Sequence, residues 1–191
     1  MELEFRDLTP RLWPQLVRLF GKNGACGGCW CMWWRIEAGE RWPEVKGARA
    51  KRRLRELVRF GRAHGVLAFA DGEPVGWCAY DRRVDLPRLD RAPSLACDDP
   101  EAVWSLPCFF VKAGWRGKGV ASGLLAAALR HLRRRGAGLA EGYPLKPPRP
   151  GDRDAARSFT GTPRLFRAAG FRVASRRPRG RQRVRLALRR K

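Results

Sequence analysis

The chain has 191 residues, 44% of them hydrophobic, which suits one domain with its own core and excludes an intrinsically disordered chain. Its formal net charge of +23, from 41 Lys and Arg against 18 Asp and Glu, attracts polyanions such as nucleic acid, anionic membranes or phosphorylated cofactors without selecting among them. We find neither a signal peptide nor the run of roughly 20 apolar residues that a membrane span needs, so we expect a cytoplasmic protein with mainly reduced cysteines.

Hydrophobic periodicity and turn residues predict the elements of the first half of the chain. Thr9 followed by Pro10 predicts a helix start, and Gly21 ends the apolar pattern that follows. Asp71 and Gly72, between two apolar segments, are a strong hairpin signal. In chain order we predict a strand (3–8), a helix (10–20), a segment rich in Gly, Cys and Trp (24–35), a helix (44–62), two strands (66–70 and 74–80) and a long polar loop (81–101).

The second half alternates strands and helices. In chain order we predict a strand (104–111), a helix (120–135), a strand (137–143), a Pro-rich loop (144–151), a helix (162–169) and a terminal hairpin (171–177 and 181–189) with its turn at 178–180. In the last strand Val184, Leu186 and Leu188 alternate with arginines, which is typical of a strand with one solvated face. The order of elements predicts one mixed sheet flanked by helices, in a single α/β domain over residues 1–191.

The most informative segment joins the predicted strand 104–111 to the helix that begins at residue 120. The first turn of a helix has unpaired N–H groups and a partial positive charge. Gly117 and Gly119 let the backbone approach a ligand, and Ala121 keeps the first turn slim. Arg116 and Lys118 add positive charge. We therefore predict a site for a phosphate or pyrophosphate, and we call residues 116–121 the anion-binding loop.

Two common phosphate-binding motifs are absent from the sequence. It has no G-x-x-x-x-G-K-[ST], and no G-x-G-x-x-G followed by an acidic residue about 20 positions later. Instead Arg116, Gly119 and Ala121 occupy the three specified places of [QR]-x-x-G-x-[GA] after a strand. This pattern resembles motif A of the GNAT acetyltransferase superfamily, whose core would span about residues 104–135.

Other segments extend the resemblance over most of the chain. The segment DGEPVGWCAY at 71–80 is similar to the superfamily's hairpin before the cofactor strand. The segment LFRAAGF at 165–171 is similar to a late superfamily motif. The segments EGYP at 141–144 and CGGCWC at 26–31 are similar to those of an uncharacterised bacterial branch. The resemblance implies an α/β (α+β mixed) fold in a single GNAT-like domain. Its central sheet would be mostly antiparallel and splayed at one parallel strand pair, with helices on both faces.

The resemblance also implies a donor, acetyl-coenzyme A (acetyl-CoA), and residues that bind it. The end of the strand would bind the pantetheine arm through backbone groups, and the anion-binding loop would bind the pyrophosphate through its amides. Ser122 would add a hydroxyl to the phosphate, or serve only as a small residue in the first turn. The predicted cofactor-binding residues are Phe109, Phe110, Val111, Arg116, Gly117, Lys118, Gly119, Val120, Ala121 and Ser122.

By the same resemblance, the reaction would be direct transfer of an acetyl group to a primary amine. Such a transfer needs a route for the amine proton and an acid for the leaving thiolate. Many superfamily members use a Tyr on the helix after the penultimate strand as the acid, but this helix offers only Phe159 and Phe166. We predict Tyr143 as the acid and Glu141 as the base, with Glu101 as an alternative base. Packing of Tyr143 as a plain core aromatic is the competing interpretation, and a fold that binds the cofactor without catalysis stays open.

The early cysteines raise the question of a metal. Cys26, Cys29 and Cys31 form C-x-x-C-x-C, but a closed zinc site takes four ligands and no second C-x-x-C is present. A fourth ligand would have to come from Cys78, Cys97 or Cys108. We predict no metal, and expect Trp30, Trp33 and Trp34 to pack as core or over the acceptor side.

The partners are less well defined than the donor. The amine acceptor is not identified by the sequence, and a homodimer is an open alternative. Residues 172–191 contain ten basic residues and no acidic one. The simplest interpretation is Arg-rich composition on solvated faces, as in a GC-rich or heat-adapted genome. The alternative function is a basic protein that binds nucleic acid or the ribosome on this scaffold, with weak or no catalysis.

Overall fold

In the described part of the chain, seven strands form one mixed sheet, in the order β1-β2-β3-β4-β5-β7-β6. The structure, a computed structural model, describes residues 2–145, 158–175 and 181–188. The strands are β1 (Leu3–Asp7), β2 (His64–Ala70), β3 (Glu73–Arg82), β4 (Val103–Val111), β5 (Leu139–Gly142), β6 (Arg172–Ser175) and β7 (Arg183–Ala187). The predicted turn at 178–180 and residues 146–151 of the predicted Pro-rich loop lie outside the described residues.

Five α-helices and seven short 3-10 helices accompany the sheet within the described residues. The α-helices are α1 (Trp13–Phe20), α2 (Trp42–Val45), α3 (Ala48–Arg59), α4 (Val120–Arg134) and α5 (Pro163–Ala168). The 3-10 helices are Pro10–Leu12, Trp33–Arg35, Arg83–Asp85, Pro87–Leu89, Pro100–Ala102, Ala113–Trp115 and Ser158–Thr160. No helix in the described ranges is both long and apolar enough to cross a membrane.

The sheet is antiparallel except at one position. Strands β1 to β4 pair antiparallel in chain order, and β5, β7 and β6 form a second antiparallel group. The two groups meet where β4 pairs parallel with β5. The order of elements predicts this mixed sheet, the family resemblance implies its single parallel pair, and helices cover both faces.

The parallel pair ends at a proline, and the sheet splays there. β4 and β5 pair only from Val103–Leu139 to Leu106–Gly142. The next residue of β4 is Pro107, which has no N–H to donate to a ladder. In the pairing of β4 with β3, Cys108 lies opposite Ala79 and Ser105 lies opposite Asp81. β4 therefore has one extra residue between these pairs, which is a β-bulge. Residues 107–111 therefore continue without pairing to β5, and a slot opens between the two strands.

The core has separate layers on the two faces of the sheet. Helix α4 packs on one face through Val120, Leu124 and Leu132, which are buried together with residues of β2 to β5. Helices α1 and α3 pack on the opposite face around the buried Trp77. A third, smaller cluster contains Tyr143 and apolar residues of the segment after β3. Apolar burial on both faces holds the splayed strands in place.

The predicted helix 44–62 is wrong in one respect, because it is divided into α2 and α3. Gly47 interrupts it with a φ of 77°, a left-handed conformation that favours glycine. The Gly47 N–H donates to the carbonyl oxygen of Gly28 at 2.8 Å. A Cβ on Gly28 would lie 2.8 Å from the Gly47 nitrogen, so a larger residue at position 28 would clash with the backbone of Gly47. The break thus joins the Gly- and Cys-rich segment to α3.

The predicted polar loop 81–101 is also more structured than expected. β3 extends to Arg82, and the segment after it buries Leu86, Leu89 and Leu95. Arg83, in the same segment, is fully buried as well. The three leucines of this segment are separated by Pro and charged residues, so they give no helix or strand periodicity in the sequence.

Candidate active site

The anion-binding loop has the geometry that its glycines predict. Gly117 has a φ of 76°, and Gly119 has φ 80° and ψ −5° immediately before the first residue of α4. Both values lie in the left-handed region, where a side chain is strained. A Cβ added to either glycine would meet no atom within 4 Å. The loop therefore presents its backbone and the first-turn amides of α4 to open space.

A cavity of about 880 Å³, here the large cavity, lies beside this loop. Its walls come from the unpaired end of β4, the anion-binding loop, and residues 159–168 around α5. Nine of the ten predicted cofactor-binding residues line it. Lys118 is the exception, and its ammonium lies 5.1 Å from the centre of the Trp115 ring. The structure thus brings the predicted set together, while its role in binding stays a prediction.

Several wall residues of the large cavity were missed by the sequence reasoning. They are Ala25, Cys26, Trp115, Phe159, Gly161, Thr162, Arg164, Leu165 and Ala168. Leu165 and Ala168 belong to the LFRAAGF segment, which was noted only as a motif. Thr162 caps α5 by accepting a hydrogen bond from the Leu165 N–H at 3.2 Å. Gly161 lies against the Phe166 ring, so a small residue is needed there.

A second cavity of about 280 Å³, the small cavity, adjoins the large one. The two share five wall residues: Ala25, Cys26, Phe109, Phe110 and Phe159. The rest of the wall of the small cavity consists of Cys29, Cys31, Trp33, Trp42, Cys108 and Arg181. The described part of its wall is therefore aromatic and thiol-rich, and contains one charged side chain.

Two thiols of the small cavity, those of Cys29 and Cys108, have raised pKa values. The Cys31 and Cys108 sulfurs are 3.4 Å apart, and the Trp77 indole N–H donates to the Cys31 sulfur at 3.0 Å. Burial, together with Cys31, raises the pKa of Cys29 to about 12. The hydrogen bond with Cys31, together with burial, raises the pKa of Cys108. Such thiols are poor nucleophiles at neutral pH.

The C-x-x-C-x-C segment is a compact turn in the described structure. Ala25, Trp30 and Cys31 all have positive φ, at 69°, 45° and 53°. Trp30 is buried and packs against Trp13 and Phe20, with ring centres 6.1 and 5.5 Å away. Within the described part of the chain, no group of three or more His, Cys, Asp or Glu side chains is placed to hold a metal ion. The absence of a metal remains a prediction.

The three tryptophans lie in different environments, two of them in the core. Trp33 lines the small cavity, whereas Trp30 belongs to the core on the α1 side. Trp34 packs beside Tyr143, and its indole N–H donates to the carbonyl oxygen of Pro107 at 3.0 Å. Trp34 thus satisfies a backbone group at the point where the sheet splays.

Comparison with known proteins gives the family. A family model described as the acetyltransferase (GNAT) family matches residues 30–141, more than half of the chain. The chain belongs to the GNAT acetyltransferase family. This membership supports acyl transfer as the general class of its activity. No curated protein sequence matches the chain.

Solved structures share the GNAT fold over nearly the whole chain. An N-acetyltransferase from Staphylococcus aureus Mu50 has a TM-score of 0.58 at 11% identity, covering 99% of this chain and 100% of that one. The GNAT domain of S. lividans PAT has a TM-score of 0.58 at 20% identity, covering 97% and 90%. yncA from Salmonella typhimurium, solved with its cofactor acetyl-CoA, has a TM-score of 0.57 at 14% identity, covering 98% and 94%. These similarities establish the fold.

In this GNAT protein, the predicted acid and base lie in a buried ion cluster. Glu141 is fully buried and accepts hydrogen bonds from Arg83 at 2.9 Å and from Arg185 at 2.6 Å. The Tyr143 hydroxyl accepts from Arg83 at 2.9 Å and lies 2.5 Å from the Ser105 Oγ. Neither Glu141 nor Tyr143 lines either cavity. Their catalytic roles are therefore untested, and we infer from their positions outside both cavities that they support the slot between β4 and β5 instead.

The alternative base, Glu101, lies on the surface. Its carboxylate pairs with Arg82 at 3.2 Å, and its side chain is 78% exposed. It does not line either cavity. Among the described residues that line the two cavities there is no Asp, Glu or His, so these walls offer no ordinary base.

The Tyr143→Phe variant distinguishes a structural role of the Tyr143 hydroxyl from a role as the general acid. Burial raises the pKa of the Tyr143 phenol, which makes it a weaker acid than free tyrosine. We expect the variant to lose about 1–3 kcal/mol of stability, because Arg83 and Ser105 lose a buried partner. We expect kcat to change by less than about threefold, well short of the roughly 100-fold or larger loss that removal of a general acid gives. Urea unfolding and steady-state kinetics measure the two effects, and a 100-fold fall in kcat at unchanged KM for acetyl-CoA would identify Tyr143 as the acid.

Proposed function

We propose that this protein is an N-acetyltransferase that moves an acetyl group from acetyl-CoA directly to a primary amine. The observation that carries the proposal is the large cavity, which joins the splayed end of β4 to the anion-binding loop. Membership of the GNAT acetyltransferase family supports the reaction class. The Salmonella typhimurium structure, which shares the fold, was solved with acetyl-CoA.

The donor would be bound mainly by backbone groups. Residues 109–111 of β4 have no β5 partner, so their groups on that edge are available to the amides of a pantetheine arm. The first-turn amides of α4, behind Gly119, are available to a pyrophosphate. Arg116 adds positive charge, and its Nε donates to the Val111 carbonyl oxygen at 3.2 Å, which fixes the loop to the end of β4.

The cavity walls favour a neutral amine. The charged side chains on them, among the described residues, are Arg116, Arg164 and Arg181. Their positive charges disfavour an ammonium ion nearby, so the acceptor amine would bind in its reactive, uncharged form. The amine nitrogen then bonds to the acetyl carbon as the carbon–sulfur bond breaks. The amine proton passes to water, and the leaving thiolate takes a proton from water.

Release of free thiol from acetyl-CoA, measured with a panel of amines, tests this proposal. We expect thiol release that depends on the amine and saturates with both substrates, with an acetylated amine as the second product. The Gly119→Trp variant is the negative control, because its indole would occupy the space beside the anion-binding loop. Amine-independent release alone, or equal rates with the variant, would contradict the proposal.

A second function, binding to nucleic acid, has one specific observation in its favour. Arg49, Arg52, Arg55 and Arg59 are all exposed along α3. Their spacing of three or four residues places them on one face of the helix. Such a face attracts a phosphate backbone in a salt-dependent way. It lies on an element other than those that form the anion-binding loop, so the two functions can be tested separately.

A further inference from the structure

Among the described residues that line the small cavity, Arg181 is the only one with a charged side chain. We propose that the acceptor is a small aromatic amine that also carries a carboxylate, and that Arg181 binds this carboxylate. The proposal rests on the function proposed above and names its substrate class. It concerns the small cavity and requires no change in the donor site.

The guanidinium of Arg181 lacks an acidic partner within the described residues. No carboxylate there pairs with it, and its Nε is buried without a hydrogen-bond partner. Burial lowers the pKa of Arg181, as expected for a cation without a nearby anion. A partly buried cation without an anion is disfavoured, and a carboxylate ligand would offset that cost. The planar guanidinium also matches a carboxylate with two parallel hydrogen bonds.

The position of Arg181 is fixed from two sides. Its guanidinium lies over the Trp34 ring at 5.5 Å and over the Phe159 ring at 5.0 Å. Its backbone forms a bridge to Leu145, just after β5, and the Gln182 N–H donates to the Pro144 carbonyl oxygen at 3.1 Å. A side chain held by both stacking and backbone pairing has little rotational freedom left to lose when a ligand binds.

The remaining wall residues of the small cavity favour an acceptor with a small aromatic group. Trp33 and Trp42 meet edge to face with ring centres 5.1 Å apart, and Phe110 and Phe159 complete the aromatic surface. The volume of about 280 Å³ is at the lower limit of ordinary ligand pockets, about 300–1,000 Å³. One aromatic ring with a short amine-bearing chain is of the corresponding size. An aminoglycoside would exceed this volume.

The positive charge of the cavity walls disfavours polyamines as acceptors. Within the described residues, no Asp or Glu lines either cavity, so a second ammonium group would find no partner there. Polyamines carry several positive charges and would meet Arg181 instead. The electrostatic argument therefore favours an amine with a negative group over an amine with a second positive one.

Phenylalanine and phenethylamine, which differ only by the carboxylate, test the proposal. We expect kcat/KM with phenylalanine to exceed that with phenethylamine, and Arg181→Gln to reduce the ratio of the two by about tenfold or more, the effect of one charge-assisted contact. Comparing this ratio between wild type and variant cancels the intrinsic reactivities of the two amines. The KM for acetyl-CoA should not change. The control is Arg172→Gln, an exposed arginine of β6 outside both cavities, which should keep the wild-type ratio.

A binding measurement separates failure of this inference from failure of the proposed function. Trp33 and Trp42 report on the small cavity, so quenching of tryptophan fluorescence gives the Kd of N-acetylphenylalanine in the presence of coenzyme A. Binding that depends on Arg181 would support the substrate class even if neither amine were acetylated. The same ratio of kcat/KM in wild type and Arg181→Gln would overturn the inference and leave the transferase intact. Absence of N-acetylphenylalanine binding to wild type, with no turnover, would also overturn it.

Discussion

Replacing Arg83 with methionine is expected to lower the free energy of unfolding by about 3–5 kcal/mol, the usual cost of removing one member of a buried ion pair. Arg83 is fully buried and pairs with Glu141, which is fully buried too. It also donates to Asp90 and to the Leu95 carbonyl oxygen, both at 2.6 Å. Burial opposes its charge, but its oxygen partners outweigh that effect and raise its pKa. The variant would leave the Asp90 and Leu95 oxygens without this donor, and Glu141 with only its partners Arg183 and Arg185 on β7.

The neighbouring Arg82 provides a matched control. It pairs with Glu101 at 3.2 Å on the surface, where both side chains are exposed. Arg82→Met removes the same charge at the next position, and we expect it to cost about 0–1 kcal/mol. Chemical denaturation of the two variants measures the difference. Similar stabilities for Arg83→Met and Arg82→Met would show that the buried cluster does not hold the strands around the slot.

Coenzyme A is expected to bind Gly119→Trp at least about 100-fold more weakly than wild type, a loss of about 2.7 kcal/mol. Gly119 lies next to the first turn of α4 with a φ of 80°, and the space beside it is open. An indole there would occupy the position from which a pyrophosphate reaches the helix amides. Isothermal titration with coenzyme A measures the loss.

The same substitution at the other end of α4 is the control for backbone strain. Gly136 has a φ of 73°, and a Cβ there would also meet no atom within 4 Å. Each substitution should therefore cost a similar amount of stability, about 1–2 kcal/mol for a residue forced into a left-handed conformation. Gly136 lies outside both cavities, so Gly136→Trp should bind coenzyme A like wild type. Equal weakening in both variants would mean that strain, and not occupancy of the anion-binding loop, reduces binding.

The anion-binding loop could be predicted from sequence because it is local. A strand, two glycines and a helix start within fifteen residues determine both the turn and the direction of the first-turn amides. Pro107 marks the end of the parallel pair, but its effect depends on β5, which lies more than thirty residues later in the chain. The splay was expected from the family resemblance, and the proline gives its physical cause.

The ion cluster and the small cavity could not be predicted from sequence. Arg83 meets Glu141 across 58 residues, and Cys31 meets Cys108 across 77. Neither contact leaves a periodic signal, since each depends on how distant segments pack. In the sequence, nothing separates Arg181 from the other arginines of the basic terminal segment. Its position beside Trp34 and Phe159 in the folded chain distinguishes it from them.

Thermal unfolding with added acetyl-CoA, and separately with single-stranded RNA, tests the central claim most directly. We predict that acetyl-CoA raises Tm in a saturable way, by about 5–10 °C at about 100 times its Kd for a chain of this size. The shift should persist when the salt concentration is raised, because backbone amides and the cavity walls supply much of the binding. RNA should give a smaller shift that salt abolishes. No shift with acetyl-CoA, together with a large salt-sensitive shift with RNA, would contradict the assignment of the large cavity to the acetyl donor.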